Sequence, residues 1–157
     1  MNKSQQSADS AAGAGKEYVS FYVGELLLGV DIIRVDEINR HLDVTPVPHA
    51  PPFVKGVLNL RGEVVTVVDL RMILGMPPSL SDRTTRTVIV RSKGEQIGLL
   101  VDRIADVIGT RLDEIDPVPP NLRGTDSRFF VGVYKLEKEL LVILDVDAAL
   151  AAETVTH

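Results

Sequence analysis

The sequence predicts a mainly β fold made of two tandem, pseudo-repeated halves, and three observations carry that prediction. Apolar runs come in pairs across short turn signals, as at Val57 to Leu60 and Val64 to Val68 around Arg61-Gly62-Glu63. A long block of the chain recurs later at a near-constant offset. The composition is 45% hydrophobic but only 4% aromatic, with no Trp, so the core must be built from Val, Leu and Ile.

The repeat is the strongest of the three. With an offset of 76, Phe53–Leu74 aligns on Phe129–Leu150, and seven of twenty-two positions are identical: Phe53/Phe129, Gly56/Gly132, Val57/Val133, Leu60/Leu136, Glu63/Glu139, Asp69/Asp145 and Leu74/Leu150. Composition alone would give roughly one or two. Pro46-Val47-Pro48 returns as Pro117-Val118-Pro119 at offset 71, and Gly29…Arg34 as Gly98…Arg103 at offset 69. Each copy then reads as about five short strands and one short helix. An odd number of short strands around a Val/Leu/Ile core points to two small five-stranded β-barrels of the SH3-like kind. The halves run roughly over residues 17–80 and 84–150, with strands free to exchange between them. Each is near the lower size limit for a stable domain, so they are expected to pack as one unit.

In chain order, residues 1–16 carry no large apolar side chain after Met1 and are expected to be a disordered tail. Order is expected from Glu17, with a first hairpin of Tyr18–Val23 and Leu26–Val30 across Gly24-Glu25. Asp31 to Leu42 places Ile32, Val35, Ile38 and Leu42 at steps of three, three and four, which predicts a short helix with Asp36 and Glu37 on a solvated face. Thr45 to Pro52 is too rich in proline for a helix.

The central hairpin follows, and its second run, with almost no polar face, suits a strand deep in a core. Gly62 can take the positive φ of a tight turn, and Asp69 is placed to cap a short helical turn through Leu74. Met76 to Arg83 reads as an exposed loop. Thr87–Val90 and Gln96–Val101 pair around Lys93-Gly94, and Asp102 to Ile108 reads as a turn or short helix. Asp116-Pro-Val-Pro-Pro120 is a second proline connector. Phe129–Leu136 and Glu139–Val146 form the last hairpin, and Ala148 to Ala152 a short helix before a tail at 153–157.

No catalytic constellation is present in the sequence. The three His residues, His41, His49 and His157, lie at none of the spacings that make a metal site or a base–nucleophile pair. There is no Gly-x-Ser-x-Gly elbow and no phosphate-binding glycine loop. The absence of Cys excludes disulfides, thiolate metal sites and Cys nucleophiles. Asp69 and Asp145 occupy equivalent positions in the two copies, which suits a repeated cap better than a catalytic pair. No cofactor is expected. The net charge of −5 counts against nucleic acid as the main partner. The apolar runs are far shorter than a membrane span, and residues 1–16 lack the apolar core of a signal peptide. A cytoplasmic protein, monomeric when alone, is the expectation.

The stretch Gly56-Val-Leu-Asn-Leu-Arg-Gly-Glu-Val-Val-Thr-Val-Val-Asp-Leu-Arg71 resembles the signature of the CheW family of bacterial chemotaxis coupling proteins. Phe21…Gly29-Val-Asp-Ile…Val35-Asp-Glu37-Ile38, Pro52-Phe53-Val-Lys-Gly56 and Gly98-Leu-Leu-Val-Asp102 fit the same family in order and spacing, so the resemblance covers Glu17 to Leu150. The kinase CheA carries a similar last domain beside phosphotransfer, dimerisation and ATP-binding domains, and CheV adds a receiver; this chain has no room for either.

The resemblance implies a non-catalytic adaptor of bacterial chemosensory signalling. It would couple methyl-accepting chemoreceptors to the histidine kinase CheA, through the receptor's cytoplasmic hairpin tip and the kinase's C-terminal regulatory domain. It also implies a receptor groove between the two barrels, with Val35, Ile38, Gly56, Ile104 and Val107 as candidates and Glu37 paired with Arg61 beside it. Gly56 would leave room for the receptor helix. For Val35, Ile38 and Val107, core packing and partner contact both remain open, and Arg61 alone would read as a solvated hairpin tip. The second copy has Glu137 where the first has Arg61, so the barrels are not equivalent in function. Kinase-contact residues are not assigned. The alternative, a small β-barrel binding single-stranded nucleic acid, has few aromatic residues to stack bases on.

Overall fold

The computed structural model describes residues 15–40, 43–78, 82–120, 122 and 127–155. Ten strands are present among the described residues: β1 (Gly15–Val23), β2 (Leu26–Asp31), β3 (Val35–Arg40), β4 (Val54–Leu60), β5 (Glu63–Asp69), β6 (Arg86–Ser92), β7 (Glu95–Val101), β8 (Arg103–Arg111), β9 (Phe130–Lys135) and β10 (Leu140–Leu144). Two helices follow equivalent strands, α1 (Leu70–Ile73) after β5 and α2 (Val146–Val155) after β10. The expected four hairpins are all there. Arg61 (φ 53°) with Gly62 (φ 87°), and Lys93 (φ 52°) with Gly94 (φ 80°), form two-residue turns with both central φ values positive. Such turns match the right-handed twist of the strands they join.

The sheets are assembled by exchange. One has the order β8-β1-β2-β10-β9 and the other β3-β6-β7-β5-β4. Replacing each strand by its counterpart five places on or back in the other half converts one order into the other. Each sheet therefore takes two strands from one half and three from the other. The inner join is parallel in both, β2 with β10 and β5 with β7. No backbone ladder links the two ends of either sheet among the described residues, yet side chains bring the ends together. Arg61, just after β4, pairs with Glu37 on β3, and Tyr134 on β9 donates to Glu114, just after β8, at 3.2 Å. Both sheets are thus strongly curled.

The repeat identities have physical causes. Thr45 and Val57 exchange backbone hydrogen bonds of 2.8 and 2.9 Å, as do Asp116 and Val133. In each case the proline connector crosses a glycine. A Cβ on Gly56 would stand against the Thr45 carbonyl, whose carbon would be 2.8 Å away, and one on Gly132 would lie 2.8 Å from the Asp116 carbonyl oxygen. Asp69 and Asp145 donate their backbone N–H to the carbonyls of Phe53 and Phe129, at 2.7 and 2.8 Å. Their carboxylates then accept from Arg71 N and Ala148 N, both at 3.0 Å, as N-caps do.

Curling produces three apolar clusters. The largest lies between the sheets and mixes Val19, Phe21, Leu28 and Val30 of one with Val68, Val88, Val90 and Leu99 of the other. Each sheet also encloses a smaller cluster of its own, Leu58, Val65, Val67, Ile89 and Leu100 in one and Tyr18, Leu27, Leu141 and Ile143 in the other. Strands buried on both faces explain the continuous apolar runs at 26–28, 88–90, 99–101 and 141–144.

Three sequence expectations need correction. Residues 31–40 do not form a helix. Ile32–Arg34 make one 3-10 turn, capped by Asp31, and Val35 onward is β3, paired antiparallel to β6. The period-2 burial of Val35, Glu37 and Asn39 against Asp36, Ile38 and Arg40 replaces the helical stripe. Residues 103–108 are likewise strand, as β8 pairs with β1 from Gly15 to Tyr22. In both, a neighbouring strand from the other part of the chain satisfies the backbone and overrides local spacing. Gly15 and Lys16, expected in the tail, also belong to β1, again through pairing with β8. The tail expected for residues 1–14, Leu42 of the apolar stripe, His41, His157, positions 79–81 of the Met76–Arg83 loop, and residues 156–157 of the C-terminal tail lie outside the described residues. Residues 153–155 belong to α2.

Two ion pairs fasten the crossovers between sheets. Arg34, ahead of β3, holds Asp147 of α2 with Nη1 to Oδ1 at 2.8 Å and Nη2 to Oδ2 at 2.7 Å, and Ser92 Oγ donates to the same carboxylate at 2.7 Å. Asp102, ahead of β8, holds Arg71 of α1 at 2.8 to 3.2 Å and also accepts from Gly24 N at 2.7 Å. Arg34, then Ser92, holds the Asp147 carboxyl well below the usual carboxylate range. Both partners are 38% exposed, so solvent limits the pair to about 1 kcal/mol at most.

The sign of the pH dependence follows. Unfolded Asp protonates near pH ~3.9, so the contribution is complete above that value and is lost as pH falls toward the lower native pKa. Urea midpoints measured from about pH 6 to about pH 2.5 should fall less steeply in Arg34→Ala than in the wild type. Equal slopes would show that Asp147 does not contribute.

Candidate functional site

The residues singled out in the sequence fall on the free edges of the two sheets and on one hairpin tip. β3 and β8 are equivalent strands, one from each half, and each ends its sheet with one side unpaired. Val35 on β3 and Ile104 on β8 are half-buried and pack onto the core between the sheets. Ile38 and Val107, further along the same strands, point outward and are 39% and 52% exposed. Along each strand, one apolar side chain (Val35, Ile104) is half-buried against the core and one (Ile38, Val107) is open to solvent.

Glu37 and Arg61 do meet. The guanidinium grips the carboxylate through both terminal nitrogens, Nη1 to Oε2 and Nη2 to Oε1, the second at 3.2 Å. This lowers the Glu37 pKa, chiefly through the hydrogen bond from Arg61. Arg61 remains 73% exposed, so the pair is a surface feature. Its backbone is held by the hairpin, where the Asn59 side chain accepts from Gly62 N at 3.0 Å. A positive φ is uncommon for Arg, but Lys93 shares it in the neighbouring hairpin, so backbone strain does not single out Arg61. The neighbouring Asp36 faces the other way, taking Arg91 and Gln96 at 2.8 and 2.7 Å. The expected solvated pair is thus two separate ion-paired carboxylates on opposite faces of a strand.

Gly56 requires a different account from the one the sequence suggested. The volume its missing side chain leaves is filled by the Thr45 backbone of the same chain, and its φ of 150° also favours glycine. Its role is to admit the proline connector.

Sequence reasoning missed an apolar groove of ≈620 Å³ between β5, β7 and α2, lined by Phe53, Val54, Val68, Ile97 and Leu150. None of the seven predicted residues lines it. No spacing in the sequence marks it, because its walls come from four separate segments. Among the described residues, no group of three or more His, Asp or Glu is placed to hold a metal ion, and no helix is long and apolar enough to cross a membrane.

Comparison with known proteins gives a consistent result. The family model of the CheW-like domain matches residues 17–154. The chemotaxis protein CheW of Rhizobium meliloti is 34% identical over 148 residues, covering 93% of this chain and 94% of that protein. The CheW of Thermotoga maritima is 33% identical over 140 residues, covering 88% and 90%. Protein FrzA of Myxococcus xanthus is 33% identical over 109 residues, covering 69% and 67%. Among solved structures, the scaffolding protein TtCheW of Thermoanaerobacter tengcongensis superposes with a TM-score of 0.78 at 31% identity, covering 85% of this chain and 86% of that one.

Proposed function

The chain belongs to the CheW-like family, and on that premise we propose that it is a cytoplasmic, non-catalytic adaptor coupling methyl-accepting chemoreceptors to the histidine kinase CheA. The observation that carries the reading is the pair of equivalent free-edge strands. Each sets an exposed apolar side chain (Ile38, Val107) beside one anchored in the inter-sheet core (Val35, Ile104). A helical hairpin tip laid along such strands would gain apolar anchors, with the Glu37–Arg61 pair as a charged rim that sets its register. The kinase's regulatory domain would bind elsewhere on the adaptor.

Calorimetry of the purified chain against a receptor hairpin-tip fragment, and separately against the kinase's C-terminal regulatory domain, tests this. The wild type should bind both. Val107→Asp and Ile38→Asp place a carboxylate at exposed positions, so folding should survive while receptor-tip affinity drops at least about tenfold. Kinase affinity should be unchanged. Arg61→Ala should leave the thermal midpoint in place and weaken the receptor side alone. Equal loss of both partners would overturn the groove assignment; binding to neither would overturn the adaptor reading.

A further inference from the structure

The internal repeat gives the apolar groove beside α2 a counterpart on the other side of the molecule. Thr66 of the groove pairs with Ile97 across the parallel join of β5 and β7, and Val142 pairs with Leu28 across the join of β10 and β2. These registers agree with the sequence offsets of 76 and 69. The offset of 76 also sets Phe53, Val54 and Leu150 of the groove against Phe129, Phe130 and Leu74. The five groove positions are half-buried, whereas their five counterparts are at most 7% exposed. Two differences between the halves account for this. The first is that α1 ends at Gly75 (φ 84°), where Met76 N–H returns to the Arg71 carbonyl at 2.8 Å. Met76 Sδ then rests against Gly24, 3.2 Å from where a Cβ would stand. In the other copy Ala151 replaces Gly75 and α2 runs on to Val155, while Lys93 replaces Gly24. The second difference is that the later proline connector is five residues longer, since the offset grows from 71 at Pro119 to 76 at Phe129. That stretch contains Leu122, which is 9% exposed and belongs to the inter-sheet cluster that holds all five counterparts, with Met76 packed against it. The groove beside α2 has neither cover among the described residues.

We propose that this groove docks a loop of a partner protein that inserts a leucine, taking in trans the place that Leu122 takes within the chain on the other side. The counterpart shows what such a wall of strands and helix accepts: an apolar side chain carried by a segment outside any regular element. The groove has room for it, at ≈620 Å³ and with a mainly apolar lining. Its rim carries both signs, Lys93 and Glu95, so burial of apolar surface rather than charge matching would drive binding. The floor offers no free backbone, because β5 is paired with β4 on one side and β7 on the other. A partner therefore cannot add a strand there and must enter by its side chain. Residues 1–14 and 156–157 contain no leucine that could serve instead. The inference stands apart from the receptor and kinase contacts, since none of the residues assigned to the receptor lines the groove.

The test titrates the full chain, labelled with nitrogen-15, with a synthetic peptide of residues 118–124, the stretch that carries Leu122, and follows the backbone amide resonances. The shifts should saturate and centre on Val54, Thr66, Ile97 and Leu150. A peptide with Leu122→Asp should bind at least about tenfold more weakly, because a carboxylate cannot enter an apolar site. Ala151→Leu places a side chain of high helix propensity in the groove. It should leave the thermal midpoint in place and weaken the unmodified peptide by a similar factor. Absence of saturable shifts, or equal binding of the two peptides, would overturn the proposal. Shifts centred on Gly24 and Phe130 would overturn it too, because the peptide would then only replace Leu122 in its own site, and so would shifts centred on β3 and β8. Light scattering covers the remaining occupant: a wild-type dimer that Ala151→Leu dissociates would assign the groove to a second copy of the chain and overturn the partner loop. If Ala151→Leu fails to fold, the comparison of the two peptides decides alone.

Discussion

Phe21→Ala is expected to lower the unfolding free energy by about 3–5 kcal/mol, the range for deleting a fully buried aromatic ring. Phe21 is 0% exposed, on a strand with neighbours on both sides, and it faces the core that both sheets share. The cavity would therefore be lined by residues of both sheets, and neither could relax alone to fill it. The loss should appear as one cooperative transition at lower urea. The protein offers a useful pair of probes. Its three tyrosines, Tyr18, Tyr22 and Tyr134, all belong to the cluster of one sheet, whereas far-ultraviolet circular dichroism reports on both. The two signals should fall together in the wild type and in the variant. Separate midpoints would show that the sheets unfold independently, and the shared core would not be the main source of stability.

Gly56→Ala is expected to cost about 2–4 kcal/mol, combining backbone strain at a positive φ with displacement of the connector backbone packed against it. The added carbon would collide with the Thr45 carbonyl and Pro46 Cα, which are backbone and cannot swing away. Both hydrogen bonds of the Thr45–Val57 bridge should break, exposing their amides to hydrogen exchange. Gly62→Ala is the control. That glycine also has a positive φ, but no atom lies within 4 Å of the added carbon, so it should cost only about 1 kcal/mol. If the two variants lose equal stability, the bridge does not contribute. A substitution at Gly56 therefore perturbs the fold before it can report on partner binding, and Val107 and Ile38 are the sounder probes.

Much of the fold was legible because hairpins are local. Arg61-Gly62 and Lys93-Gly94 declare their turns, and the apolar runs beside them are strands at any register. The repeat was legible because the structure uses each identical residue twice for the same job: a glycine under a connector, an aspartate under a helix. The segments from Asp31 and Asp102 misled because their apolar residues fit a helical spacing. The strands they pair with, β6 and β1, lie far from them in sequence or belong to the other half. Of the candidate site, the Glu37–Arg61 meeting came from family resemblance, since nothing in the spacing of 24 residues joins a strand to a hairpin tip across a curled sheet.

The sequence by itself determined the eight hairpin strands, the duplication and the absence of any recognisable catalytic motif, because these depend on residue chemistry over a few neighbours; the two edge strands β3 and β8 escaped it. Only the tertiary structure decided which strands share a sheet, that the halves trade strands, and that the edge strands are β3 and β8. Those choices rest on long-range pairing, on one core closed by both sheets, and on two ion pairs whose partners lie 113 and 31 residues apart. No local pattern encodes contacts at that distance; the folded chain has to bring them together.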